Sequence, residues 1–359
     1  MTGWVQRLLQ WFAIHRRPMP WRDDPSPYKV WVSETMLQQT RVTAVIPFFE
    51  RFIRAFPNLQ LLAEAQAEDV LKAWEGLGYY SRARNLHAAA RMVANELGGS
   101  FPKTESGWRA LPGVGPYTAA AVASIACRQP AAAVDGNVMR VWSRLRGIRE
   151  DVSAPAWREK ARLDLLRYVR TCNPSLFNQA MMELGALVCL PRNPACSDCP
   201  LRPNCVAARK QLTEAIPLRK KKAPVPHRNE AVLIVSASTQ VLLRQRPQNG
   251  LLGGLWEFPS CIIPDATAPE QAATQLAFAL GFATHAPLAF IGSVQHAFTH
   301  FSQTLHVFQI ESLSLPLPPA EPLSAQWRWC LPQERQQLPL SRAQRRINDL
   351  FQNHAAREK

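Results

Sequence analysis

Acidic side chains are the scarce class in this chain: 27 Asp and Glu stand against 42 Lys and Arg in 359 residues, a formal charge of +15. Such a balance works against basic partners and favours polyanions, nucleic acid first and an anionic membrane surface second, through counterion release and long-range steering. A secretory leader is not evident. The apolar N-terminal residues are interrupted by Gln6, Arg7 and Gln10, unlike the core of a signal peptide. Long hydrophobic runs are also missing. The longest stretch without Asp, Glu, Lys or Arg, Gln271 to Ile310, is broken throughout by Gln, His, Thr and Ser. A second, Ala110 to Cys127, contains Pro112, Gly113, Gly115 and Pro116. No membrane span is expected, and the cytoplasm, beside the nucleoid in a bacterial cell, is the expected location. No period of 20–50 residues recurs, which excludes a solenoid.

What is present suggests more than one domain, since the length exceeds that of a usual single domain. Residues 1–205 read as helical, with candidate helices at 27–40, 43–55, 67–75, 81–97, 104–110, 116–127, 136–146, 156–170 and 175–188. The first is opened by Ser26 as N-cap and Pro27 at N1. Residues 206–227 form a basic, proline-containing linker with the run Arg219-Lys220-Lys221-Lys222. Beyond it, period-2 alternation around 229–247, a helical pattern at 270–282 and two more strand-like stretches predict a small α+β domain over 228–355.

Eight cysteines are present, and four crowd into Cys189-x6-Cys196-x2-Cys199-x5-Cys205. In a cytosolic chain such a cluster reads as metal-binding rather than disulfide-forming. A four-cysteine zinc site usually carries two Cys-x2-Cys knuckles, and here there is one; the spacing suits an iron–sulfur cluster as well as zinc. Arg192, Arg202 and Arg209 put positive charge around the loop.

Between two helical stretches, LPGVGPY (111–117) carries Gly113, Val114 and Gly115, which permit a tight turn. The free N–H groups at the following helix start can then hold a phosphate; an ordinary helix connection fits the same residues. Glu34 shares a helical stripe with Val30 and Leu37, so it either lies buried with a raised pKa or sits at the edge of the stripe in water. Asp135 precedes an amphipathic helix and reads first as its cap. Paired, two carboxylates suit cleavage of a glycosidic bond, one protonating the leaving group and one facing a positive sugar. In GLGYYSRAR (76–84), tyrosines in a glycine loop followed by arginines suit a wedge entering a base stack, or a helix start packed on a core.

Taken together, WVSETMLQQT, GLGYYSRARNL, LPGVGPYTAAA, VDGNVMRV and the cysteine cluster, in this order over nearly all of 1–210, resemble the endonuclease III superfamily of helix-hairpin-helix glycosylases, and within it the adenine glycosylases. The resemblance implies a multidomain chain: a six-helix barrel over about 21–127, an iron–sulfur domain from 1–20 plus 128–205 with a [4Fe-4S] cluster on Cys189, Cys196, Cys199 and Cys205, and a C-terminal Nudix-like α+β lesion-recognition domain. It implies removal of adenine opposite 8-oxoguanine or guanine in double-stranded DNA by a monomer. Glu34 would be the acid and Asp135 the carboxylate facing the sugar, with Tyr117 and Asn137 orienting them. Trp21, Arg22, Leu37 and Gln179 would line the adenine pocket. Gln39, Thr40 and Tyr79 would meet the opposite purine, and Phe298, Thr299 and His300 of HAFTHF would read its lesion. Lyase-competent members carry lysine where Tyr117 stands, which implies a monofunctional enzyme. GGLWEFPSC resembles the start of a Nudix box, but no Asp or Glu occurs between Glu270 and Gly281, so binding without pyrophosphate hydrolysis is expected. The alternatives are a bifunctional glycosylase and lyase for oxidised pyrimidines, and a catalytically silent iron–sulfur DNA-binding protein.

Overall fold

The computed structural model describes residues 3–152, 154–218, 224–282, 288–312 and 326–357; the basic run 219–222 of the expected linker lies outside them. Two compact units divide the chain. The first comprises Met1–Glu64 and Asn85–Lys222, the second Ala65–Arg84 and Ala223–Lys359. The sequence reading had kept 65–84 in the helical region.

The first unit is built from helices that bury apolar faces against one another. Its principal members are α1 (Gly3–His15), α2 (Pro27–Leu37), α3 (Val42–Ala55), α4 (Ser81–Asn95, of which Asn85 onward belongs here), α5 (Pro116–Ile125), α6 (Gly136–Arg146) and α7 (Pro174–Leu187). α1, α6 and α7 close around a core containing Leu8, Trp142 and Phe177, all at most 2% exposed. Each such large side chain contributes roughly 1.5–3 kcal/mol by leaving water. α2 packs on α3 and α5, and α5 on α7, where the Tyr117 hydroxyl reaches Met182 Sδ. A short helix at Leu59–Glu64 carried no signal in the sequence reading.

Two expectations for α2 change. The helix, expected to reach residue 40, ends at Leu37: Gln38 turns extended (ψ 112°) and Gln39 takes the left-handed conformation (φ 61°), leaving Gln39 and Thr40 in a turn. Nor is the helix amphipathic. Tyr28 and every residue from Val30 to Met36 are buried, so Glu34 is enclosed by a helix buried all round rather than by a stripe.

The hairpin before α5 follows the sequence pattern closely. Thr104 caps the Glu105–Arg109 helix by accepting from the Gly107 N–H, Gly113 makes the turn at φ 72°, and Gly115 is the N-cap of α5 with Pro116 at its first position. A Cβ on Gly113 would lie 2.4 Å from the Asn85 Cβ, whereas one on Gly115 would meet open space.

The second unit is a seven-stranded mixed sheet with β1 (His227–Ala237), β2 (Gln240–Gln245), β3 (Trp256–Glu257), β4 (Ser260–Ile262), β5 (Ala289–Ala297), β6 (Ser302–Glu311) and β7 (Trp327–Cys330). The order is β3-β2-β1-β6-β5; β1 and β6 run parallel, while β4 pairs with β1 and β7 with β2. Alternation along β1 sends Val232 and Ile234 to the face covered by α9 (Arg342–Arg357), and Ala231, Leu233 and Val235 to the face covered by α8 (Pro269–Ala279). Segment 65–84 is held to this unit by the Glu75–Arg345 ion pair and by hydrogen bonds from Lys72 to the Leu338 carbonyl, from Trp256 to Glu68 and from Arg84 to the Gly253 carbonyl.

Gly113→Ala is expected to cost about 2–4 kcal/mol, combining a forced left-handed alanine with overpacking on Asn85, while Gly115→Ala stays within about 0.5 kcal/mol of wild type. Urea denaturation of the two variants checks this; equal losses would contradict the distinction.

Candidate active site

A cavity of about 1150 Å³ opens in the first unit, at the upper end of the size range of small-molecule sites. It brings together Trp21, Arg22, Glu34, Leu37, Gln39, Thr40, Tyr117, Asp135, Asn137 and Gln179, with Gly113 and Gly115 at its wall; Val114 is packed inward instead. Tyr79, Phe298, Thr299 and His300 belong to the second unit.

Glu34 is the electrostatic centre of the cavity. It is 5% exposed, and its Oε2 accepts a 2.6 Å hydrogen bond from the Tyr117 hydroxyl. Burial raises its pKa to about 7; the Tyr117 hydrogen bond and the Arg22 charge oppose that rise, and the Asp135 charge adds to it. A carboxylic acid half protonated near neutrality is a proton donor at working pH. Tyr117 itself is held well above its ordinary pKa by burial and by the Glu34 and Asp135 charges, so it stays a neutral donor.

Asp135 both caps a helix and lines the cavity. As N-cap of α6 its Oδ1 accepts from the Val138 N–H at 2.7 Å, and its Oδ2 accepts from Asn137 Nδ2 at 2.9 Å while the residue faces the cavity. Burial raises its pKa, and the Val138 and Asn137 hydrogen bonds and the Arg140 charge favour the carboxylate. Asn137 is fixed in turn. Its Oδ1 accepts from Arg140 Nη2 at 2.8 Å, and the same guanidinium donates to the Cys189 and Gly185 carbonyls, both at 2.7 Å.

Three residues here escaped the sequence reading. Glu183, 2% exposed, ties Arg17 and Arg22 together at 2.8 and 3.0 Å. Burial would raise its pKa, but those arginines carry it down to about 2. Arg140 lies in the mid-helix run VMRV, where it reads as an ordinary surface arginine. Gly185 lets α7 approach α6: a Cβ there would fall 2.7 Å from the Asn137 Cβ. Its only trace in the sequence is a glycine inside a helical pattern.

In the second unit, Tyr79 is 40% exposed in the left-handed region at φ 48°, between Gly76 and Gly78. Arg82 braces the loop, its guanidinium 5.3 Å from the Tyr79 ring centre and donating to the Gly78 carbonyl. The Tyr79 hydroxyl hydrogen-bonds the Thr299 hydroxyl at 2.6 Å. Thr299 and His300 are exposed at the tip of the β5–β6 hairpin, where Phe298 stacks on Phe301 with centroids 4.6 Å apart. Glu257, in the Nudix-box-like segment, is buried in ion pairs with Arg244 and Arg246.

Of the four clustered cysteines, Cys189, Cys199 and Cys205 pack against the α1–α6–α7 core. Among the described residues no three His, Cys, Asp or Glu side chains converge to metal-ligand spacing. The thiols are nevertheless within one another's electrostatic reach. Burial, and then the neighbouring Cys189, Cys205 and Cys196, push the Cys199 thiol up to about 12. An all-sulfur donor set whose members disfavour each other's ionisation suits a cationic metal or cluster, which relieves that repulsion on binding.

A model of the HhH-GPD superfamily of base excision DNA repair proteins matches residues 32–166, and a NUDIX domain model matches 230–350. The adenine DNA glycosylase of Mus musculus is 37% identical over 99% of this chain and 79% of its own length; that of Homo sapiens is 34% identical over 98% and 74%. The chain belongs to the adenine DNA glycosylase family. The Schizosaccharomyces pombe adenine DNA glycosylase adds 33% identity over 84% of this chain and 80% of its own. Among solved structures, a thermostable thymine-DNA glycosylase is 30% identical over 57% of this chain and 95% of its own, with a TM-score of 0.51. An endonuclease III in a trapped covalent complex with DNA, 24% identical over 58% and 95% with the same TM-score, shares the fold. The family fold of a helical glycosylase region with a Nudix-like α+β domain is therefore the one observed. Among the described residues, no helix is long and apolar enough to cross a membrane.

Because the Glu34 pKa is raised on folding, the native state binds more protons than the unfolded chain between about pH 4.5 and 7. Stability is therefore lost as pH rises through that window, by on the order of 3 kcal/mol. Glu34→Gln removes this penalty and should raise the Tm relative to wild type at pH 8 but not at pH 4. An equal Tm difference at both pH values would contradict the raised pKa.

Proposed function

We propose that this glycosylase hydrolyses the N-glycosidic bond of adenine paired with 8-oxoguanine or guanine in double-stranded DNA. The observation that carries this reading is the buried Glu34, with a pKa near 7, hydrogen-bonded to a tyrosine rather than neighboured by a lysine. Glu34 donates its proton to the extruded adenine at N7, which turns the base into a better leaving group. The Asp135 carboxylate, fixed by Val138 and Asn137, faces the sugar and stabilises the oxocarbenium ion as the bond opens. Water then adds at the sugar carbon. Since Tyr117 offers no amine, no Schiff base forms and the strand is left uncut. Trp21, Arg22, Leu37 and Gln179 enclose the base, and extrusion costs least at a mispair, which aids selection.

Residues 1–205 act as the catalytic region in this reading, and 228–355 as the lesion reader. Gln39 and Thr40 contact the opposite purine from the catalytic region, while Tyr79, Phe298, Thr299 and His300 do so from the second unit. The hairpin Gly113–Val114–Gly115 grips a phosphate with its backbone N–H groups. Cys189, Cys196, Cys199 and Cys205 would hold a [4Fe-4S] cluster, which when bound cross-links their loop to the core. The enzyme works as a monomer in the compartment that holds the DNA.

Duplexes pairing adenine with 8-oxoguanine, guanine and thymine test the proposal: only the first two should release adenine. Glu34→Gln and Asp135→Asn should each lower the single-turnover rate by at least about 10³-fold while lesion binding persists, and the wild-type rate should fall as pH rises above about 7. Efficient borohydride trapping of a covalent DNA adduct would instead indicate a lyase. Gly115→Ala should bind duplex more weakly with an unchanged Tm; unaltered affinity would remove the hairpin from the DNA contact.

A further inference from the structure

We propose that Arg144 is the counter-charge of the metal–sulfur centre and sets its reduction potential. Arg144 lies on α6 and is 2% exposed. An arginine stays charged in a protein, and a buried charge is stable only when another charge or a full set of hydrogen bonds replaces water. The hydrogen bonds are present but all go to neutral oxygens or sulfur. Nε donates to the Ile216 carbonyl at 2.8 Å, Nη1 to the Leu190 carbonyl at 2.6 Å and to Cys189 Sγ at 3.3 Å, and Nη2 to the Pro191 carbonyl at 3.2 Å. Among the described residues no carboxylate lies within ion-pair distance of it.

The neighbouring arginine on the same helix shows the contrast. Arg140 is equally enclosed, yet its charge acts on the Asp135 carboxylate. The groups around Arg144 are thiols instead: Cys189 accepts from its side chain, the Cys205 thiol lies 3.4 Å from its backbone carbonyl, and its charge reaches Cys196. Arg202 and Glu214 also act on Cys196 and are of opposite sign. Four thiolates on an iron–sulfur cluster leave that centre with net negative charge. That negative charge would supply the fixed, buried guanidinium with the compensation that no carboxylate provides, and the guanidinium would offset the centre's charge in return. Net charge and hydrogen bonds to the ligating sulfurs are the protein's levers on such a potential, and Arg144 applies both. It stabilises the form carrying one more electron, so its charge keeps the centre from losing an electron easily.

This inference rests on the [4Fe-4S] reading, and iron and sulfide analysis of the purified full-length wild type tests that reading separately: zinc without sulfide would refute it whatever Arg144 does. With the cluster present, voltammetry with one electron exchanged at an electrode is compared for wild type, Arg144→Gln and Arg144→Lys. Gln keeps a side-chain donor and loses the charge; Lys keeps the charge. The Gln variant should shift to a more negative potential by about 59 mV or more, a tenfold change in the oxidation equilibrium, and should release iron to a chelator faster, with Lys closer to wild type in both. If Gln fails to take up the cluster while Lys retains it, the charge is again what matters. A Gln variant with wild-type potential and iron release would overturn the proposal, and so would loss of the cluster from both variants, which would make Arg144 only a clamp on the Leu190 and Pro191 carbonyls.

Discussion

The hydrogen bond between Tyr117 and Glu34 is the constraint on which the site depends. A carboxyl group placed in the middle of a fully buried helix carries a heavy desolvation penalty, and a single phenolic donor at 2.6 Å offsets part of it without supplying charge. A lysine in place of Tyr117 would lower the Glu34 pKa by its positive charge and abolish the acid. A neutral donor leaves the group near pH 7. Tyr117 draws the Glu34 pKa down only part of the way, so burial remains the larger effect. The hairpin serves the same end, because the turn at Gly113 sets where α5 begins, and Tyr117 stands in its first turn.

Around that pair the carboxylates are sorted by their neighbours. Glu34 meets a hydroxyl and stays partly protonated, Asp135 meets two N–H groups, and Glu183 meets two arginines and remains ionised. Three acids lining one cavity thus occupy three electrostatic states. The chain of contacts from Asp135 through Asn137 and Arg140 to the Cys189 carbonyl means that the cysteine loop and the cavity-lining Asp135 carboxylate share one set of hydrogen bonds. The Gln38 amide, bonded to Thr118, similarly links the end of α2 to α5 beside the hairpin.

Much of this was legible in the sequence because short-range chemistry fixed it. Proline and glycine positions marked the starts of α2 and α5, and period-2 alternation marked β1. Glu34 and Asp135, which line one cavity, could be paired only once the motifs were seen together. What was not legible depended on distant packing. The early end of α2 lies in a tract, Leu37 to Thr40, whose residues are all compatible with a helix, and tertiary contacts override that propensity. Glu183, Arg140 and Gly185 act on partners up to 166 residues away, and nothing in a local window distinguishes a salt-bridged glutamate from a solvated one. The spacing of Val30, Glu34 and Leu37 left Glu34 either buried or at a wet edge, and only the enclosure of the whole helix decides for burial.

The chain enters the second unit twice, first with Ala65–Arg84 and again from Ala223 onward. Trp74, fully buried, and Tyr80, whose hydroxyl reaches the Leu340 carbonyl, arrive with the first visit. The C-terminal region is therefore not a detachable cassette. A gene fragment encoding only its strands and helices would lack the early segment that supplies part of its wall, and a homologous domain grafted onto these helices would need to be compatible with residues encoded far upstream of the junction. Shuffling by simple end-to-end fusion is correspondingly hindered.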